Sequence, residues 1–88
     1  MSDPVAWIMI QHGWEVVDDA GEQVGTIDEV LGDPDRDIFD GLAVATGIVG
    51  KPRYVPAELV GAITVGNVQL ELSKADFERL DAHEPGPG

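Results

Sequence analysis

The chain has 88 residues, 43% of them hydrophobic, which is the size and composition of one small globular domain. It contains no cysteine, so disulfides and thiolate metal sites are excluded, and pairing with a second copy is the remaining way to reinforce a small core. The formal net charge of −12 opposes binding to nucleic acids and to anionic membranes. It suits a basic protein partner, or it keeps the protein soluble.

An apolar segment lies near the N-terminus, at residues 5–10. It is far shorter than the ~20 residues that a membrane-spanning helix needs, and neither a basic stretch nor a cleavage motif marks it as a signal peptide. The sequence therefore predicts no membrane span and a cytoplasmic location. We expect residues 1–12 to pack on the domain or on a partner, with Trp7 either capping the domain or lying in a subunit interface.

Two strands are predicted next, at residues 14–17 and about 23–31, with a turn at 18–22 in which aspartates bond to nearby backbone. Apolar residues of the second strand are spaced by three, which breaks strict alternation at Gly25. This phase slip predicts a bulge or bend at Gly25, of the kind that lets a small barrel close. An amphipathic helix is the competing interpretation, and the β-branched residues disfavour it.

The third predicted strand covers residues 38–46. One of its faces is apolar but small, and it carries Phe39, Gly41, Ala43 and Ala45. Because small side chains allow a close approach to the backbone, this face predicts tight packing against another element. The N-terminal segment, a C-terminal helix or a second subunit could provide it.

The rest of the chain alternates short elements with turns. We predict a Gly/Pro loop at 47–52, a strand at 54–56, a helical turn at 57–60, and a hairpin of strands 63–65 and 68–72 around a primed Gly66-Asn67 turn. Ser73 then caps a short helix, with Asp76 in the capping-box position. The domain is expected to span residues 13–82, and residues 83–88 to form a disordered tail.

Several of these segments together resemble PRC-barrel domains. The resemblance rests on residues 13–17, 21–27, 54–56 with Val60, and 68–73, so it covers residues 13–80. It implies a mainly all-β fold: a small, strongly bent barrel of about five or six strands with a short C-terminal helix. Similar domains occur in the photosynthetic reaction-centre H subunit, in a ribosome maturation factor and as short stand-alone proteins, and the resemblance implies an adaptor role.

The acidic loop with Asp33, Asp35 and Asp37 has the D-x-D-x-D spacing of a calcium loop. An EF-hand also needs a glycine at the sixth loop position and a glutamate at the twelfth. Ile38 and Val44 occupy those positions, so an EF-hand is excluded. A weak, irregular Ca²⁺ or Mg²⁺ site is the alternative to a solvated loop.

No other motif indicates catalysis or a cofactor. The loop at 47–52 departs from the phosphate-binding pattern in its glycine spacing and by a proline after Lys51. His12 and His83 have no recognisable catalytic partners, and Ser73 is explained as a helix cap. The sequence therefore predicts no enzyme and no cofactor.

We accordingly predict a non-enzymatic protein-interaction or adaptor module that forms a homodimer. The expected interface contains Trp7, Ile8, Ile10, Phe39 and Ala43. The alternative is a ribosome-assembly factor that docks on a basic ribosomal protein, because the acidity fits a basic partner.

Overall fold

The computed structural model describes residues 5–46 and 52–80 of the chain. Its elements, in chain order, are a 3₁₀ turn Trp7–Met9, strands β1 Glu15–Val17, β2 Gln23–Asp33, β3 Ile38–Ala45 and β4 Arg53–Pro56, a 3₁₀ turn Ala57–Leu59, strands β5 Val60–Thr64 and β6 Asn67–Leu70, and helix α1 Lys74–Glu78. The predicted mainly β domain with a short C-terminal helix is confirmed.

The six strands form one sheet in the order β4-β3-β2-β1-β6-β5. Neighbouring strands are antiparallel except β1 and β6, which are parallel. The two outer strands, β4 and β5, are joined by the three residues Ala57–Leu59 alone. Such a link spans about 14 Å at most, so the sheet has to curl until its outer strands meet there. Within the described residues β4 and β5 are not paired, so this barrel is bent but not closed by hydrogen bonds.

The predicted bulge in the second strand is confirmed beside Gly25. Val16 pairs with Gly25 and Val17 pairs with Gln23, which leaves Val24 as the extra residue. A Cβ atom at Gly25 would collide with the carbonyl oxygen of Ala45 and lie 2.8 Å from Val44 Cγ1. Strand β3 therefore passes so close to β2 that only glycine fits, and the helical interpretation of this segment is wrong.

The core is apolar and receives buried residues from five of the six strands and from the segments before β1 and after β6, with partly buried β5 residues packed against it. Its buried members are Ile10, Val16, Ile27, Leu42, Val44, Val55, Val68, Leu70, Leu72 and Phe77. Ile10 comes from the N-terminal segment and Phe77 from α1, so both flanking segments help to complete the barrel.

The second hairpin differs from its prediction. β5 begins at Val60 rather than at Ile63, and the turn consists of Val65 and Gly66 because Thr64 pairs with Asn67. Gly66 has φ +80°, whereas Val65 is not among the residues with positive φ. A primed turn requires a positive φ at its first central residue, which a β-branched side chain resists. The predicted primed turn is therefore wrong in both type and position.

Candidate functional site

One end of the barrel is covered by residues 5–14, which we call the N-terminal cap. The backbone N–H of Val5 donates to the carbonyl of Ile63 on β5 at 2.9 Å. Further along, the N–H of Gly13 donates to the carbonyl of Ile27 on β2 at 2.8 Å. The cap therefore bridges from the outer strand β5 to the middle of the sheet.

Trp7 fastens this cap to the turn between β2 and β3. Its indole stacks on the ring of Phe39, with ring centroids 5.1 Å apart and an interplanar angle of 14°. Its Nε1–H donates to Asp37 Oδ1 at 2.9 Å. Trp7 thus contacts the β2–β3 turn of its own chain.

The turn is shaped to receive the indole. A Cβ atom at Gly32 would lie 3.1 Å from Trp7 Cη2, so the ring rests against bare backbone. Asp37 has φ +54°, a conformation that aspartate tolerates better than most residues. This conformation ends the turn beside Trp7, where the carboxylate accepts the indole N–H.

The structure separates the five predicted interface residues into three groups. Trp7 and Phe39 are half-buried and stacked on each other. Ile10 and Ala43 are 6% and 0% exposed, buried inside a single chain. Ile8 is 54% exposed, so it is the member that offers free apolar area.

Four large apolar side chains of the described residues are strongly exposed: Ile8, Met9, Ile38 and Val65. Three of them, Ile8, Met9 and Ile38, lie within two residues of Trp7 or Asp37 in the chain. We call these three residues the cap surface. Met9 was not predicted, because its position in an apolar run does not distinguish exposure from burial.

The small face of β3 is covered from within the same chain. The Tyr54 hydroxyl donates to the carbonyl of Asp40 at 2.9 Å. A Cβ atom at Gly41 would lie 3.0 Å from Tyr54 Cε1, so the ring crosses directly over Gly41. Tyr54 and Trp7 therefore pack closely against this face, as its small side chains predicted. The contribution of Tyr54 was not predicted from the sequence.

The acidic loop does not gather its three predicted carboxylates into one site. Asp33 Oδ1 accepts from the N–H of Asp35 at 3.1 Å, and Asp33 Oδ2 lies 3.6 Å from Arg36 Nε. Asp37 accepts the Trp7 indole. Among residues 5–46 and 52–80, no group of three or more His, Cys, Asp or Glu side chains is placed to hold a metal ion.

Ser73 and Asp18 both stabilise the local backbone. Ser73 Oγ accepts from the N–H of Asp76 at 3.2 Å and caps α1, as predicted. Asp18, 3% exposed, accepts from the N–H groups of Ala20 and Glu22, both at 2.9 Å, and so holds the β1–β2 turn. His12 is exposed, and His83 lies outside the described residues.

A cleft lies at the opposite end of the barrel, next to α1. It is lined by Gln23, Val24, Gly25, Thr46, Arg53, Lys74, Phe77 and Glu78. The Arg53 guanidinium is part of this lining, and its Nη1 donates to the carbonyl of Leu80 at 2.7 Å. Lys51, the other base near Arg53 in the sequence, lies outside the described residues.

Comparison with known proteins gives one positive result. A search of curated proteins found no match. In the described part of the chain, no helix has the length and apolar character needed to cross a membrane. The family model for the PRC-barrel domain matches residues 12–75, which is more than half of the chain. Together with the bent six-stranded sheet, this match shows that the chain belongs to the PRC-barrel domain family.

Proposed function

We propose that the protein is a non-enzymatic interaction module that binds a basic protein through the cap surface. Membership of the PRC-barrel family supports an interaction role. The observation that carries the proposal is the position of exposed Ile8, Met9 and Ile38 around the Trp7–Asp37 contact. Apolar side chains of this kind supply binding energy when a partner covers them.

The charge next to the cap surface indicates which partner it suits. Residues 33–40 contribute Asp33, Asp35, Asp37 and Asp40, against the single base Arg36. An apolar surface with an acidic border is complementary to an apolar surface bordered by Lys and Arg. A basic ribosomal protein, the alternative partner predicted above, has this chemistry.

Self-association through the same surface is the second candidate. Exposed Ile8 and Met9 favour it, because two apolar copies can cover each other. The net charge of −12 on each copy opposes it. The two candidates therefore respond in opposite directions to salt, since salt screens repulsion between copies and also attraction to a basic partner.

A capture experiment with matched variants tests the proposal. Wild type, the double variant I8S/M9S and the control V65S are immobilised and exposed to extract of the native cell, and bound proteins are identified by mass spectrometry. We expect basic proteins bound by wild type and V65S, lost with I8S/M9S, and released as salt is raised. Val65 is a suitable control because it is 74% exposed and lies outside the cap surface.

Sedimentation of the same three proteins separates the two candidates. A dimer that strengthens with salt and is abolished by I8S/M9S would establish self-association instead. Capture that is equal for wild type and I8S/M9S would contradict a binding role for the cap surface altogether. Thermal melting of each variant verifies that the exposed substitutions leave the fold intact.

A further inference from the structure

The cleft beside α1 has the dimensions of a ligand site. It encloses about 460 Å³ between the start of β2, the end of β3, the start of β4 and α1. Pockets for small molecules typically measure about 300–1,000 Å³. The cleft lies at the end of the barrel opposite the cap surface, so a ligand there is independent of the function proposed above.

The lining is mixed in polarity. Val24 and Phe77 carry its large apolar side chains; Val24 is half-buried, and Phe77, 2% exposed, adds little accessible area. The other lining residues, except Gly25, are polar or charged, and Gln23 and Thr46 contribute an amide and a hydroxyl. The cleft therefore offers several polar groups beside a small apolar area.

The cleft also concentrates positive charge on an otherwise acidic protein. The described residues contain four bases, Arg36, Arg53, Lys74 and Arg79, and two of them line the cleft. Glu78 is the acidic residue of the lining. Among the described residues of the lining, Arg53 and Lys74 against Glu78 leave a charge of +1, the sum of two positive charges and one negative, which complements a monoanion.

Arg53 is the group best placed to bind that anion. It is half-buried, and among the described residues its side chain donates to a neutral acceptor, the Leu80 carbonyl. Within residues 5–46 and 52–80, no carboxylate lies within ion-pairing distance of its guanidinium. The bond to Leu80 orients the guanidinium and leaves further N–H donors for a second acceptor, and a carboxylate matches their fork geometry.

We propose that the cleft binds a small monocarboxylate with an apolar body. The carboxylate contacts Arg53, with Lys74 adding electrostatic attraction at the edge, and the hydrocarbon part lies against Phe77 and Val24. The long-range charge of the protein repels anions, so the binding energy comes from the local contacts and requires both the charge and the apolar body.

The test titrates the isotope-labelled protein with benzoate as the probe and with benzyl alcohol as its uncharged counterpart. Binding is measured from the NMR chemical shifts of the protein. Benzoate is expected to bind with millimolar affinity and to shift the amides of the cleft residues, whereas benzyl alcohol binds at least about tenfold more weakly because it lacks the charge-assisted hydrogen bonds. Acetate, which has the charge but almost no apolar body, is also expected to bind more weakly than benzoate.

Substitutions then assign the binding to individual side chains. Arg53→Gln should weaken benzoate binding about tenfold, and Lys74→Gln about threefold, because Lys74 is exposed and better screened. Arg36→Gln, at the other end of the barrel, should leave it unchanged. Since Arg53→Gln also removes the bond to Leu80, Lys74→Gln provides a second variant whose fold is not at risk.

The proposal is overturned by the absence of saturable shifts with benzoate, by equal binding of benzoate and benzyl alcohol, or by shifts outside the cleft. It is also overturned if neither Arg53→Gln nor Lys74→Gln changes the affinity. The I8S/M9S variant should bind benzoate like wild type, so failure of the cap-surface proposal and failure of this one are distinguishable.

Discussion

The two ends of the barrel are closed in different ways. At one end the N-terminal cap is held by directional contacts: three backbone hydrogen bonds to the strands, the stacking of Trp7 on Phe39, and the indole bond to Asp37. At the other end α1 inserts Phe77 into the core. Within the described part of the chain, the segment after α1 is held by the bond from Arg53 to the Leu80 carbonyl.

This difference determines what each end presents to its surroundings. The cap buries Ile10 but turns Ile8 and Met9 outward, so it offers an apolar surface. Helix α1 has five residues, Lys74–Glu78, and a cleft lies beside its Phe77. One end of this barrel therefore presents exposed apolar side chains, and the other presents a cleft lined by charged ones.

The largest expected effect is at the helix end. Phe77→Ala removes a side chain that is 2% exposed, and such truncations cost about 3–5 kcal/mol. We expect a loss in this range in the free energy of unfolding, measured by chemical denaturation. Leu80→Ala, at a half-buried position on the same segment, is the control and should cost much less. A loss below about 1 kcal/mol for Phe77→Ala would show that the buried Phe77 side chain does not stabilise this end of the barrel.

The N-terminal cap should contribute less to the free energy of unfolding than Phe77 does. Trp7→Ala removes the stacking on Phe39 and the bond to Asp37, both at a partly exposed site, and should cost about 2 kcal/mol. Trp7→Phe keeps an aromatic ring and loses only the bond, so about 1 kcal/mol is expected in the same denaturation experiment. Equal losses for the two variants would mean that the stacking contributes nothing.

The start of α1 provides a smaller effect that concerns only the helix end. Ser73→Ala removes the acceptor for the Asp76 N–H and should cost about 1 kcal/mol. Ser73→Asp retains an N-cap acceptor and should stay close to wild type. Hydrogen exchange of the α1 amides should accelerate in Ser73→Ala without any change in the cap. Faster exchange at both ends would show that the two closures are coupled.

The smallest effect is expected at the turn that receives Trp7. Arg36 and Asp33 form an ion pair at 3.6 Å with side chains 78% and 46% exposed. Exposed pairs of this kind contribute little, so Arg36→Ala should change the stability by less than about 0.5 kcal/mol. Thermal melting at low and high salt provides the measurement. A larger loss would indicate that the ion pair helps to fix the turn for the indole.

Sequence reasoning located most of the sheet because its signals are local. The slip in apolar spacing at Gly25 corresponds to the bulge that leaves Val24 unpaired. Ser73 and Asp76 similarly marked the start of α1. The second hairpin was misplaced because Gly66-Asn67 fits a primed turn by composition, whereas the pairing of Thr64 with Asn67 moved the turn back by one residue. Strand register depends on which side chains are buried in the core, and the identity of the two turn residues does not determine this.

The candidate site was only partly predictable. The apolar run at residues 5–10 identified the segment, but burial divided it so that Ile10 faces the core while Ile8 and Met9 face outward. A 3₁₀ turn at Trp7–Met9 produces this division. The position of Arg53 at the cleft was not predicted, because it depends on Leu80, which is 27 residues away in the chain.

The sequence by itself determined a small acidic β domain, because charge, strand periodicity and turn residues are properties of short stretches of chain. The resemblance of residues 13–80 indicated the PRC-barrel type. Only the tertiary structure decided how the ends are closed. It placed Trp7 between Phe39 and Asp37, set the ring of Tyr54 over Gly41, and left a charged cleft beside Phe77. These arrangements join residues far apart in the chain, and they exist only once the sheet has curled far enough to bring them together.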